Sequence, residues 1–346
     1  MIPKHIKRTM ILMLIVMTPG IPEYMTGSSN LASILFDPPS FFIGLLLNVA
    51  LYSTGALLIR DFSLRYGKSW ISILILGLAY GIMEEGISVH TFFLTSGNPV
   101  GMLGTYGRYL GVDWMWALGI SFFHSIFSIA LPIFLLSIAY PKYSGEPLLG
   151  RKGSAACLGI YSADVLLLNL ILNTQGIRST PSASDYIFFL ALSVILVLIA
   201  KAIPENILEP RGKTDGSVKK FYLMGLLVFP LYLFNAEFPS VSNSTPRIPP
   251  AIEGPLYIIA NLLILLAIVR FMPREDNRKQ KFALSLGLIT PLFVWAEFMQ
   301  LFGVDQLITL VSVAGIVLLL RLRKWIRTGK NMADPEEYTS GIPAFV

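Results

Sequence analysis

The chain has 346 residues, 54% of them hydrophobic and 14% charged, with a formal net charge of +6. A soluble domain carries about 25% charged residues, so this chain has too few polar side chains to clothe a globule in water. A disordered chain is excluded on the same ground, and a disulfide-rich secreted module is excluded because Cys157 is the single cysteine. The class that remains is a polytopic membrane protein.

A spanning helix takes about 20 mostly apolar residues at roughly 1.5 Å rise each. Ten segments are expected to span, at about 9–26, 40–59, 70–94, 113–140, 154–173, 185–203, 221–238, 252–271, 282–302 and 304–321. The first follows Lys4, Lys7 and Arg8 and runs into Pro19 and Pro22, which resembles a signal peptide. No small-residue cleavage site follows it, so an uncleaved helix is expected. The last two segments are separated only by the residues around Gly303–Asp305, the sign of a tight helical hairpin.

The basic residues divide sharply between alternate connecting segments. The first set includes Lys4, Lys68, Lys142, Lys201, Arg278 and Lys324 and holds 24 of the 27 lysines and arginines; the other holds Arg108, Arg178 and Arg247. The positive-inside rule then puts both termini in the cytoplasm. The charge is thus a topology signal facing anionic lipid, and no nucleic-acid partner is expected. Trp70 and Trp325 fall at inner boundaries and Trp114 and Trp116 at an outer one, as an aromatic belt requires.

The expected architecture is an all-α transmembrane helix bundle of about ten spans in the cell membrane. Residues 1–328 form a single domain and 329–346 a polar, disordered cytoplasmic tail. The outer segment 95–112 is glycine-rich around Arg108, and 239–250 contains Pro239, Pro246, Pro249 and Pro250. An internal repeat is suggested between 220–271 and 281–322. Lys220-Phe221, Gly225-Leu226, Pro230-Leu231 and Ala236-Glu237-Phe238 match Lys281-Phe282, Gly287-Leu288, Pro291-Leu292 and Ala296-Glu297-Phe298. Transporters often carry such repeats.

Ionisable groups inside hydrocarbon are costly and usually face the bundle interior. Glu84 and Glu85 lie 14–15 residues into the segment that starts at Trp70, or roughly 21 Å from its inner end. Gly77, Gly81, Glu84 and Ser88 share one helical face, and the Gly77/Gly81 spacing lets another helix approach closely. Glu85 is expected about 100° round from Glu84. On the next segment Ser121, His124, Ser125 and Ser128 form a polar stripe, with His124 at nearly the same depth as the acids. A Glu beside a His supports a shared proton, a metal ligand pair, or a carboxylate base with an imidazole partner. A plain acid–imidazole clamp between helices competes with these.

Weaker candidates for ligand or ion binding are Asp164, Glu237, Glu297 and Arg108. Asp164 shares a face with Cys157 and Tyr161 near mid-span; Glu237 and Glu297 lie 16 and 15 residues into their helices. Glu84, Glu85, His124, Glu237 and Glu297 would form one layer, a polar chamber roofed by the glycine-rich loop. Arg108 is either a counter-ion to the acids or a solvated loop residue, and His90 is expected at the outer interface. No P-loop, GxSxG, HExxH or CxxC signature is present. No cofactor is evident, and a metal at Glu84, Glu85 and His124 stays open, although zinc normally takes more nitrogen or sulfur ligands.

Paired glutamates on one membrane helix and a histidine on the next resemble the CPBP family, the CAAX-processing glutamic intramembrane proteases and their bacteriocin-processing relatives. The resemblance implies Glu84 as the base that activates water, Glu85 as its support and His124 as the group that holds the water or oxyanion. Residues 89 and 120 are Val and Ile where that pattern has Arg and Phe, and no histidine follows His124. The string Tyr80-Gly81-Ile82-Met83-Glu84-Glu85-Gly86 also resembles a group of uncharacterised prokaryotic multi-spanning proteins. Two functions follow: an intramembrane, peptidase-like hydrolase, or an ion-coupled carrier whose acids bind protons or cations. A non-catalytic scaffold is the third. The partners expected are the bilayer and an unidentified small-molecule, ion or peptide substrate.

Overall fold

The computed structural model describes residues 2–95, 106–175, 181–204, 210, 212, 217–236, 248–274 and 277–328. The architecture is all-α. The described residues contain ten long helices: α1 (Lys4–Pro19, continued by a π-helical turn at Gly20–Tyr24), α2 (Pro38–Arg65), α3 (Trp70–Ser88), α4 (Trp114–Ala139), α5 (Arg151–Gln175), α6 (Ala183–Ala202), α7 (Val218–Ala236), α8 (Pro250–Phe271), α9 (Arg278–Leu301) and α10 (Ile308–Thr328). Eight of them, α2 to α9, are long and apolar enough to cross a membrane. The first and last, α1 and α10, carry several basic residues within the helix itself. The suggested tail, 329–346, and the loop residues 96–105 and 237–247 lie outside the described residues.

Local chemistry sets where helices begin. Asp37 caps α2, accepting from the Ser40 amide at 3.3 Å, with Pro38 at the first helical position. Asp113 caps α4 through the Trp116 amide at 3.0 Å. Ser182 and Asp185 form a capping box on α6. The segment expected as one helix over 70–94 stops at Ser88. His90 turns the chain with a left-handed φ of 58°, a conformation seldom taken by non-glycine residues, and a short 3-10 turn follows at Thr91–Phe93.

The connecting segments gather at two ends. At one, Arg65 donates to the Leu149 carbonyl, Lys68 to Ile203 (3.1 Å) and Arg278 to Ile138 (3.2 Å). At the other, a two-stranded hairpin (β1, Arg108–Tyr109; β2, Val112–Asp113) precedes α4. Here Arg108 donates to the carbonyls of Leu94 (2.8 Å), Phe93 (3.0 Å) and Gly111 (2.6 Å). The hairpin between α9 and α10 is tight, with Gly303 at φ 72°. Its Asp305 accepts from the Leu31 and Ala32 amides of the α1–α2 connection.

Close approach is set by glycine. A Cβ on Gly77 would sit 2.7 Å from the Ser125 Cα, and one on Gly81 would sit 3.0 Å from the Ser121 Cα. The expected small-residue face of α3 therefore meets the serine stripe of α4. A second tight crossing joins α7 and α9 at the glycines matched in the suggested repeat. Gly225 faces the backbone of Leu284 and Leu288, and Gly287 faces the backbone of Tyr222 and Leu226.

Candidate functional site

The α3–α4 crossing brings Glu84, Glu85 and His124 together, all buried, at 3%, 8% and 2% exposure. His124 Nε2 lies 2.9 Å from Glu85 Oε1, and Nδ1 lies 3.2 Å from Glu84 Oε2. One imidazole thus stands between two carboxylates. Nδ1 also lies 2.9 Å from the Ser128 hydroxyl one turn along α4. Both ring nitrogens donate only when the imidazole is protonated, so the geometry lets His124 hold a proton toward either acid.

Both adjacent glutamates reach one ring, each at its own nitrogen. They lie in a π-helical turn, Met83–Ser88, closed by the Val89 amide on the Glu84 carbonyl at 2.8 Å. His124 likewise opens a π turn, His124–Ala130.

The two carboxylates are held differently. Glu85 Oε2 accepts from the Thr91 hydroxyl, which in turn accepts from Trp116 Nε1 at 3.0 Å. The turn at His90 places Thr91 for this contact. Glu84 Oε2 has no hydrogen-bond partner besides the His124 ion pair among the described residues, and the buried hydroxyls of Ser88 and Ser121 have none. Tyr80, Glu84 and Ser88 lie four residues apart along α3, and the Tyr80 hydroxyl interacts with the Glu84 carboxylate.

Two more helices reach the centre through π turns of their own. Tyr52, in the π turn Val49–Ser53 of α2, has its ring 6.0 Å from His124 and 5.9 Å from Tyr80. Its hydroxyl donates to Glu23 Oε1 at 2.5 Å. Glu23 lies in the π turn at the end of α1 and also accepts from Ser29 at 2.6 Å; Asn48 donates to Ser29 at 2.9 Å. Glu23 is half-buried, so this chain of polar groups runs from the centre toward the surface. Glu23, Tyr52 and Thr91 were not legible as site residues. Glu23 follows Pro22 at a helix end, and Tyr52 lies in an apolar run. Counting depth from Arg65, 13 residues beyond Tyr52, would have found Tyr52.

The weaker candidates lie elsewhere. Glu297 is exposed and accepts from Thr309 of α10 at 2.9 Å, so it does not join the centre. Asp164 is buried on α5, one turn beyond Tyr161, whose ring is 6.0 Å from Tyr80; it borders the site without a hydrogen bond to it. Glu237 lies outside the described residues. Arg108 ties the β-hairpin to the chain end of α3 through carbonyls. His90, expected at the interface, is fully buried, with Nε2 2.7 Å from Asn169 Nδ2 and 3.1 Å from the Tyr186 hydroxyl.

Glu84, Glu85 and His124 each offer a ligand atom, all within 4.8 Å of one another, so the group could hold a metal ion. One ion cannot touch both nitrogens of a single ring, however. With a carboxylate at each nitrogen, the arrangement fits hydrogen bonding and proton exchange better than coordination by all three.

The fold and the centre together define a multi-pass α-helical membrane protein with a buried acid–imidazole–acid site. The profile of a family described as "uncharacterized membrane protein family" matches residues 10–323, and the chain belongs to that family. No curated protein and no solved structure matches it.

Proposed function

We propose that the centre is a membrane-embedded hydrolytic site of the glutamic type, with Glu84 as general base, Glu85 holding the imidazole and His124 orienting Glu84 and the attacking water. The observation that carries this reading is the difference between the acids. Glu85 is fixed by Thr91 and by His124 at 2.9 Å, whereas Glu84 Oε2 meets the same ring at a longer 3.2 Å and makes no hydrogen bond among the described residues. Buried polar atoms of this kind ordinarily find water. Glu84 takes a proton from that water as its oxygen attacks a carbonyl carbon, then returns the proton to the leaving group. The Tyr80 hydroxyl is a donor available to the developing oxyanion. The resemblance to the CPBP proteases supports the same roles, and peptides are then the substrate class.

The experiment is oxygen-18 incorporation. Reconstituted protein is incubated with a membrane-protein fraction in labelled water, and new C-termini are sought by mass spectrometry. Wild-type protein is expected to label them, and Glu84→Gln to reduce the rate by about 10²–10⁴, the usual contribution of a general base. Absence of labelled termini with folded wild-type protein overturns the reading.

A second reading, an ion-coupled carrier, is favoured by the Glu23–Tyr52 extension toward the surface. It is also favoured by the suggested repeat, whose matched glycines meet at one crossing. Under it, proteoliposomes carrying a pH-sensitive dye show a proton flux that Glu84→Gln and Glu23→Gln both remove. In either reading the protein sits in the cell membrane with ten spans and both termini in the cytoplasm, supported by the partition of its basic residues.

A further inference from the structure

A second built site lies at the basic end of the bundle, roughly 16 Å along α3 from Glu84. A cavity of about 260 Å³ opens there between α2, α3, α4 and α9. Its polar lining includes Lys68, Lys281, Ser63 and Ser69, and its apolar wall includes Ile73 and Leu136. No acidic side chain is among the lining residues.

The charges in and around the cavity do not cancel. Arg60 also lines it but is already engaged, 3.2 Å from Asp61 and donating to the carbonyls of Ser144 (3.3 Å) and Glu146 (3.0 Å). Asp61 is fixed in turn by the amides of Leu148 (2.9 Å) and Leu149 (2.6 Å), with Arg65 at 3.8 Å. That leaves two ammonium groups as the excess. Lys68 uses one of its three donors on the Ile203 carbonyl. The hydroxyls of Ser63 and Ser69 are buried and have no hydrogen-bond partner among the described residues, and Ser63 is only 1% exposed. A buried hydroxyl without a partner is unfavourable unless something supplies one.

We propose that this cavity binds a phosphate group, carried either by an anionic phospholipid or by a free phosphate. Two ammoniums and two hydroxyls are a donor set for a compact, multiply charged oxyanion, and lysine serves phosphate as a point charge. The volume suits a phosphate-sized head more than a drug-sized ligand, whose sites run from about 300 to 1,000 Å³. Basic pockets between membrane helices on this face are a recurring headgroup site. The inference is independent of the chemistry at Glu84.

The test uses full-length protein in an uncharged detergent, with bound lipid read by native mass spectrometry. Phosphatidylglycerol is compared with phosphatidylcholine, and inorganic phosphate is added as competitor. Phosphatidylglycerol is expected to bind, and Lys68→Gln with Lys281→Gln to weaken it at least tenfold. Arg323→Gln with Arg327→Gln, the same charge change at the same end, leaves it unchanged. Ser63→Ala weakens binding with the lysines intact, and retained elution volume confirms folding of each variant. Binding that resists inorganic phosphate assigns the lipid source; displacement by it, or direct phosphate binding, assigns the free one. Equal retention of the two lipids without phosphate binding, or an unaffected lysine double variant, overturns the proposal.

Discussion

At the residue scale, adjacent identical side chains receive different surroundings. Glu84 and Glu85 are adjacent and chemically identical, yet Glu85 accepts from the Thr91 hydroxyl, whereas Glu84 Oε2 meets the imidazole at a longer 3.2 Å. Thr91 is the pivot, because its hydroxyl serves both Glu85 and the Trp116 indole. Thr91→Val is expected to lower stability by about 2 kcal/mol or more, since each buried group left unpaired costs about 1–3 kcal/mol. Thr91→Ser should retain most of it, and thermal unfolding in detergent distinguishes the two. The depth of Glu84, Glu85 and His124 could be counted from Trp70 and Tyr140 because a helix rises by a fixed increment. The part played by Thr91 could not, because it depends on the backbone reversing at His90.

At the element scale, four helices carry a π turn at the residue that reaches the centre: Gly20–Tyr24, Val49–Ser53, Met83–Ser88 and His124–Ala130. Such turns are rare and concentrate at functional sites, which supports placing the chemistry here. Glycines then set how close the helices come. Gly77→Val would push a side chain into the Ser125 backbone, and overpacking of this kind costs about 1–3 kcal/mol or more. Gly44 of α2 has open space around its Cβ position, so Gly44→Ala should be neutral or stabilising, by up to about 1 kcal/mol. Melting temperatures of the two variants, measured side by side, check the contrast. The Gly77/Gly81 face was legible because its spacing is a matter of helical period. The π turns were not, since nothing in Met83–Ser88 or His124–Ala130 distinguishes those residues from ordinary helix.

At the scale of the whole molecule, the connecting segments separate into two sets, and the set tied together by Arg65, Lys68 and Arg278 is the basic one. The orientation proposed from it has a direct check. In a Cys157→Ala background, Lys142→Cys is expected to react with a membrane-impermeant thiol reagent only after the cells are opened, and Tyr109→Cys in intact cells. The reverse pattern would invert the topology. The sequence by itself determined the solvent, the helical class, the division of charge and which polar residues stand among the apolar helices. All of these follow from composition and from periods that act along the chain. Only the tertiary structure decided that one imidazole serves both glutamates, that Glu23 and Tyr52 join them from α1 and α2, and that Glu297 does not. Those contacts join segments distant in the chain through local departures from the regular helix, and a period read along the sequence carries no record of either.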